Sequence, residues 1–385
     1  MLTLMIIKVI IVPLPNNLQQ FTEDTNFSIR SSTNPNSFLS IWDTTKTTTS
    51  SSNNNQIHLP LQLGGTYSFE ANWGDGTNDT ITSWDQASTT HTYTVPGVYT
   101  LNITGKIQGW RFNNGGDRLK ILEIEQWGSL QLINSGSYFY GCLNLNLTAT
   151  DSLNLSGITN FHQFFRDCGN LGSSGTMNGW DVSSATDMSE MFYNSYSFNQ
   201  PIGNWIVSNV SNMNNMFFGA SSFNQPLDTW DVSKVNSIIA MFYKAISFNQ
   251  PLGSWDVSHL ADMSYMFYDA KAFNQPLGSW DVSSVTRMIL MFYGIKLSTA
   301  NYDDLLIGWS QQSLQHGVEF HAGNSQCSLA GIFARETLIS TFEWTIIDKG
   351  EELANKQAFI IEISFGGLML VLIFYLFCRK YKKRI

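Results

Sequence analysis

Residues 248–272 read FNQPLGSWDVSHLADMSYMFYDAKA, and the same phrase begins again at Phe273. Phe198 and Phe223 open two earlier copies, so FNQP recurs every 25 residues, and Trp180, Trp205, Trp230, Trp255 and Trp280 keep the same period. A fixed period of this size marks stacked supersecondary units, none of which buries its apolar face alone. Such an array builds a long, rigid surface, which points to binding or spacing before catalysis.

Within one copy the pattern changes period. Leu260, Met263, Met266 and Phe267 fall at i, i+3, i+6 and i+7, with Val210, Val235 and Val285 taking the first place in other copies. That spacing predicts one face of a short helix. Pro276 ends it and forces an extended entry. Trp280, Asp281, Val282 and Ser283 then alternate as a short strand. Stacked copies would give a narrow parallel sheet at about 4.8 Å per step, with Trp and Val inward and Asp and Ser outward. The Trp and Met-Phe ladders read as core. Asn199, Asn224, Asn249 and Asn274 read as an in-register ladder bonding the next coil, or else as an exposed ligand row. Degenerate copies begin near Gly109, with landmarks Tyr138-Phe139-Tyr140-Gly141-Cys142 and Phe164-Phe165-Arg166-Asp167-Cys168. Cys142 and Cys168 take the place of Ala220, Ala245 and Ala270, as buried thiols or as a disulfide.

The pattern FNQPLxxWDVSxVxxMxxMF resembles the bacterial surface protein repeats of the BspA type, and the likeness extends to Gly109–Asp117 and to Trp344–Asp348. The resemblance implies a divergent leucine-rich-repeat-like solenoid, surface display and, in some members, adhesion, without naming one ligand. The expected fold is therefore α+β: a leucine-rich-repeat-like solenoid over 108–297 whose ~25-residue coils each hold a short strand and a short helix.

The flanks read differently. Residues 56–107 alternate apolar and polar over several short runs, which predicts a small β-sandwich. Trp73-Gly74-Asp75-Gly76, His91-Thr92-Tyr93 and Pro96-Gly97-Val98-Tyr99-Thr100-Leu101 make this segment resemble a PKD-type domain, which implies an extracellular spacer or binding module. Asp75 reads as a turn former, with metal ligation the alternative. Residues 21–55, with the tract Thr47–Asn55, are too poor in apolar side chains to fold and read as a linker. Residues 1–20 read as a candidate signal segment, although Lys8 lies inside the apolar run, so a misassigned start or truncated leader is the alternative. Residues 298–348 break the period and predict two helices and a strand as a C-terminal cap. Residues 349–357 follow as a juxtamembrane linker. Residues 358–378 are apolar except Glu362 and Ser364, long enough at 1.5 Å per residue for one transmembrane helix. The basic tail 379–385 then places the body outside and the C-terminus in the cytoplasm.

Composition excludes other classes. The net charge is −9, with five basic residues concentrated in that tail, so the body has no electrostatic footprint for nucleic acid. Charged residues make up only 13% of the chain, with Asn, Ser and Thr filling polar positions. The six Asn-x-Ser/Thr triplets, the first at Asn26, arise readily in such a composition. No nucleophile–His set, zinc spacing or phosphate loop is present, so neither an enzyme nor a cofactor is expected. The expected function is adhesion or protein–protein recognition by a membrane-anchored cell-surface protein, with a structural spacer or envelope component as the alternative. The expected partner is an extracellular or matrix protein, or another cell-surface molecule. The expected contact is weak and multivalent, along the Asp–Ser strand face at Asp231, Asp256 and Asp281 with Ser233, Ser258 and Ser283.

Overall fold

The computed structural model describes residues 34–175 and 177–350, together with the backbone of 361–365 and 368–372. The chain divides into two units, Met1–Asn34 and Pro35–Ile385, and the description concerns the second. The candidate signal segment 1–20, most of 349–357 and the basic tail 379–385 lie outside the described residues.

The first elements are β1 (Phe38–Asp43), β2 (Gln56–His58), β3 (Leu61–Asn72), β4 (Asn78–Ile81), β5 (Thr90–Thr92), β6 (Val98–Trp110), β7 (Ile121–Gln126), β8 (Leu130–Gln131) and β9 (Asn146–Leu147). They make a seven-stranded sheet in the order β4-β3-β6-β1-β7-β9 with β8 beside β6, and β2 pairs with β5 separately. Alternation in β3 turns Tyr67, Phe69 and Ala71 inward, as an antiparallel sheet with one packed face requires. The segment 56–107 is therefore not a self-contained β-sandwich, because its two long strands share one sheet with β1 and β7. Nor is 21–55 simply a linker. Phe38 and Trp42 in β1 are wholly buried against Trp110, at ring separations of 5.1 and 6.3 Å. That burial outweighs the polar tract beside it.

The tract itself is held by a buried ion pair. Lys120 Nζ lies 3.3 Å from Asp117 and donates to the carbonyls of Ser52, Asn53 and Gln56 at 2.8–3.0 Å. Asp117 accepts from the Ser52 and His58 N–H groups. Burial lowers the Lys120 pKa, and the Asp117 charge opposes that shift. A buried charge is tolerable only with such pairing.

From the sheet, parallel pairing passes directly into the repeats. Ile107 pairs with Leu130, Gln131 with Asn154, and a chain of bridges runs Asn160–Asp187–Asn212–Ser237. Beyond β9, the described residues of the repeats up to 297 contain neither α-helix nor regular strand. Two residues per copy adopt left-handed backbone: Glu190, Asn215, Ala240, Tyr265 and Leu290 at φ 53–62°, and Asn194, Lys244 and Asp269 at φ 54–55°, with Gly219 and Gly294 in the second place. A left-handed residue stops a helix. The segment is instead a run of overlapping four-residue turns, closed by Met266 N–H to Met263, Tyr268 N–H to Tyr265 and Ala270 N–H to Phe267. The intervening N–H groups of Met263, Tyr265, Phe267 and Asp269 bond the next copy at Arg287, Ile289, Met291 and Tyr293, all at 2.8–2.9 Å. The Trp-Asp-Val-Ser segment is likewise a turn, closed by Val285 N–H to Val282.

The expected fold class is thus overturned. No closed solenoid of strand-plus-helix coils forms, and among the described residues only α1 (Thr299–Ser310) and α2 (Leu329–Phe342) are α-helices, both after the last repeat. No helix among the described residues is long and apolar enough to cross a membrane. Within 358–378, the described residues form an antiparallel pair, β12 (Ile361–Phe365) and β13 (Leu368–Leu372). Gly366-Gly367 between two short apolar runs is a hairpin signal that the length of the apolar stretch hid. The expected single-pass placement at the cell surface, with the tail in the cytoplasm, falls with the helix.

Stacking in register turns repeated residues into ladders. Phe192, Phe217, Phe242, Phe267 and Phe292 stack at 5.4–5.7 Å, and Phe198, Phe223, Phe248 and Phe273 at 5.6–6.2 Å. Each repeat Trp is buried, and four donate their indole N–H one copy back: Trp205 to Met177, Trp230 to Ile202, Trp255 to Leu227 and Trp280 to Leu252. The Asn row is a backbone ladder. Asn249 Oδ1 accepts from the Asn274 N–H and from Gln275 Nε2, both at 2.9 Å, and Asn199 and Asn224 repeat the arrangement.

After the repeats, α1, β10 (Glu319–His321), α2 and β11 (Thr345–Ile347) cover the end of the array, and β10 pairs in parallel with β11. The cap imitates a further copy. Trp309 in α1 donates to the Leu277 carbonyl at 3.1 Å, and Ser298 and Asn301 bond Asn274 Oδ1 as the next Asn and Gln would. Asp348, buried beneath α2, takes a two-pronged contact from Arg335 at 2.8 and 3.0 Å and the Tyr302 hydroxyl at 2.6 Å.

Trp255→Ala leaves a cavity in an interior copy and frees the Leu227 carbonyl, so denaturant unfolding is expected to show a loss of about 3–5 kcal/mol. Asn249→Ala removes one acceptor from two donors and is expected to cost about 1–3 kcal/mol. Asn249→Asp retains that acceptor, and in the same measurement it is expected to cost less than the Ala variant.

Candidate functional site

Two rows of side chains run along the outside of the repeats. The first holds the residues singled out by sequence. Asp231 Oδ1 accepts from the Ser233 N–H at 3.1 Å and hydroxyl at 2.6 Å; Asp256 does the same with Ser258 at 3.1 and 2.7 Å. Asp281 accepts from the Ser283 N–H at 3.0 Å. These three Asp are exposed and sit one per copy, but on turns, not on a strand face. The side chains are occupied in closing their own turns, which is the common use of Asp two residues before Ser. Hydrogen bonds from the Ser hydroxyl and N–H hold the carboxyls of Asp231 and Asp256 below their ordinary range. Ile206, 61% exposed, interrupts the row.

The second row was not singled out by sequence reasoning. The residue after each Met-Phe pair is aromatic in every regular copy: Tyr193, Phe218, Tyr243, Tyr268 and Tyr293. These rings stack face to face at 4.4, 4.2, 4.4 and 4.7 Å. They are half-buried, and Tyr293 at the end is exposed. The stripe continues into the degenerate copies through a cation. The Arg166 guanidinium lies 4.3 Å from the Tyr193 ring and 5.2 Å from Tyr140, within cation–π range. Glu190 pairs with Arg166. Tyr140, Arg166, Tyr193, Phe218, Tyr243, Tyr268 and Tyr293 therefore form one line, one residue from each successive copy. Beside it, Leu143 and Tyr196 meet over Gly169, where a Cβ would lie 2.8 Å from Leu143. Leu143, Tyr196 and Ile246 are each nearly half exposed.

The expectation of a helix hid this row, because a helix would have dispersed residues 193, 218 and their counterparts onto a solvated face. The signal was present in the sequence as the third letter of MFY, MFF, MFY, MFY and MFY.

In the first sheet, the Asp75 carboxylate is engaged by Thr77 and by His91 Nε2 at 2.8 Å, and His91 stacks on Trp73 at 4.7 Å. Partial burial pushes the Asp75 pKa upward, but the bonds from Thr77 and His91 outweigh it and leave the carboxyl below its usual range. This is the arrangement of a turn former. Among the described residues no group of three or more His, Cys, Asp or Glu has metal-binding geometry.

The fold and its two ladders define a repeat protein in which 25-residue copies stack in register between an N-terminal sheet and a C-terminal cap. The chain belongs to the family described as "Mycoplasma protein of unknown function, DUF285", which matches residues 111–217, 133–242 and 201–305, together just over half of the chain. No curated protein and no solved structure matches it.

The depressed Asp256 carboxyl contributes stability that is present above the ordinary carboxyl pKa and is lost as pH falls through its folded value. Asp256→Ala is therefore expected to lower the unfolding midpoint slightly at pH 7. The difference from the parent chain is expected to shrink in the acid limb, as pH falls through the folded pKa and the carboxyl becomes protonated in both states. Paired urea titrations across that range check it.

Proposed function

We propose that this chain is a non-catalytic recognition module that binds another protein along the aromatic stripe of its repeats. The observation that carries the reading is the unbroken outer line from Tyr140 to Tyr293, flanked by the exposed side chains of Leu143, Tyr196 and Ile246. Tyr and Arg are enriched where proteins meet, because they bring large contact area at low conformational cost. Contiguous exposed apolar surface of this kind marks interaction sites. The likeness of the copies to BspA-type repeats supports the same reading. The Asp–Ser row is the weaker candidate, since its carboxylates already serve their own turns.

The test is surface plasmon resonance of the immobilised full chain against a panel of matrix and cell-surface proteins. The parent chain is expected to retain at least one of them. Tyr243→Ser combined with Tyr268→Ser is expected to weaken that contact at least about tenfold, a loss of about 1.4 kcal/mol. Asp231→Ala, Asp256→Ala and Asp281→Ala together are expected to leave it unchanged. Loss in the Asp variant with retention in the Tyr variant moves the site to the Asp–Ser row. A parent chain that retains nothing favours the structural spacer.

A further inference from the structure

Cys142 and Cys168 occupy one structural position in two successive copies. Each follows by three residues a Phe, and those rings, Phe139 and Phe165, stack at 5.5 Å. Each Cys N–H closes the same turn, to Phe139 at 3.1 Å and to Phe165 at 3.2 Å. Later copies place Ser195, Ala220, Ala245 and Ala270 there, all wholly buried. The Cys168 thiol donates to the Phe139 carbonyl at 3.0 Å, as the Ser195 hydroxyl donates to Phe165 at 2.7 Å. Both Cys are free and fully buried. Burial, and after it the adjoining Cys168 thiol, pushes the Cys142 pKa well up. Equivalent residues one parallel step apart lie about 5 Å from each other at Cα, inside the span of about 4.4–6.8 Å that a disulfide bridges.

In these first copies the Asn side chains bond differently: Asn144 Nδ2 donates to the Leu119 carbonyl at 2.8 Å and Asn170 Nδ2 to the Asn144 carbonyl at 3.4 Å. The Asn ladder begins only at Asn199, and Gln200, buried at the first of these loops, has no partner for its Oε1.

We propose that Cys142 and Cys168 form an intramolecular disulfide that staples the first repeat copies, ahead of the Asn ladder. The oxidant is a small-molecule disulfide such as oxidised glutathione. One Cys thiolate attacks it and releases one thiol; the second Cys then attacks the mixed disulfide and releases the other thiol. The two Cys lose two protons and two electrons in total, and the glutathione disulfide takes up both electrons and both protons to become two thiols. Because both sulfurs are buried, the exchange occurs while the copies are open, during folding.

The test refolds the full chain in oxidised and in reduced glutathione, then alkylates and digests it without reduction. Trypsin cuts after Arg166 and so separates the two Cys. Oxidised chain is expected to yield a peptide pair joining Cys142 and Cys168, and a thermal midpoint several degrees above the reduced chain. Cys168→Ala carries the residue of later copies, so it is expected to fold and to lose both the linked pair and the difference in midpoint. Alkylation of both Cys when the oxidised chain is denatured without reductant overturns the proposal, as does linkage of either to Cys327. A linked pair with an unchanged midpoint overturns the stapling role. If refolding fails, the same peptide map on the chain as purified decides linkage by the same criteria.

Discussion

Every second N–H in the Met-x-x-Met-Phe segment leaves its own copy and bonds a carbonyl of the next, as Met263, Tyr265, Phe267 and Asp269 do with residues 287–293. This pairing fixes the register, and the register fixes nearly everything else. Once consecutive copies cannot slide, each side chain sits over its counterpart 25 residues away. Identical residues then become ladders. A Phe over a Phe fills its own space, an Asn over an Asn-Gln pair satisfies a half-buried amide, and a Trp over a Trp places its indole N–H on a carbonyl one copy back. The left-handed residues at Tyr265 and Asp269 carry a conformational cost of about 1–2 kcal/mol each. They persist because they aim alternate N–H groups at the neighbour.

An array built this way has two open ends, each a row of unpaired backbone groups. The two ends are closed by different means. At the start, parallel pairing grows out of an antiparallel sheet, from Ile107 to Leu130 and from Glu123 to Asn146. The loop over that sheet is locked by Asp117 and Lys120, whose charges leave water only because each is fully partnered. At the finish, α1 and β10 carry Trp309, Ser298, Asn301 and Phe320 into the places that another copy would fill.

The same register decides the surface. A residue repeated outward becomes a continuous line, and its chemistry then matters as a line. Asp before Ser makes a line of closed turns whose hydrogen-bonding capacity is largely spent. Aromatic residues after Met-Phe make a line of stacked rings with outward edges, joined by Arg166 to Tyr140. The proposed recognition face follows from that contrast.

The sequence by itself determined the period and the inward Trp and Met-Phe positions, because periodic burial leaves a periodic record. Trp255 could be placed from its spacing alone, whereas the Asn row stayed open between a ladder and an exposed row until the structure placed it. The tertiary structure decided the rest. Apolar residues at i, i+3 and i+6 fit a short helix and a run of overlapping four-residue turns equally well. Only the pairing with the neighbouring copy, through left-handed Tyr265 and Asp269, selects the turns. Phe38 and Trp42 looked stranded in a polar tract until β6 and β7 closed around them, a contact across more than 50 residues of sequence that no local pattern encodes. The aromatic stripe is a property of the stack: each Tyr is visible in its own copy, but a line of rings exists only once the register places one upon the next.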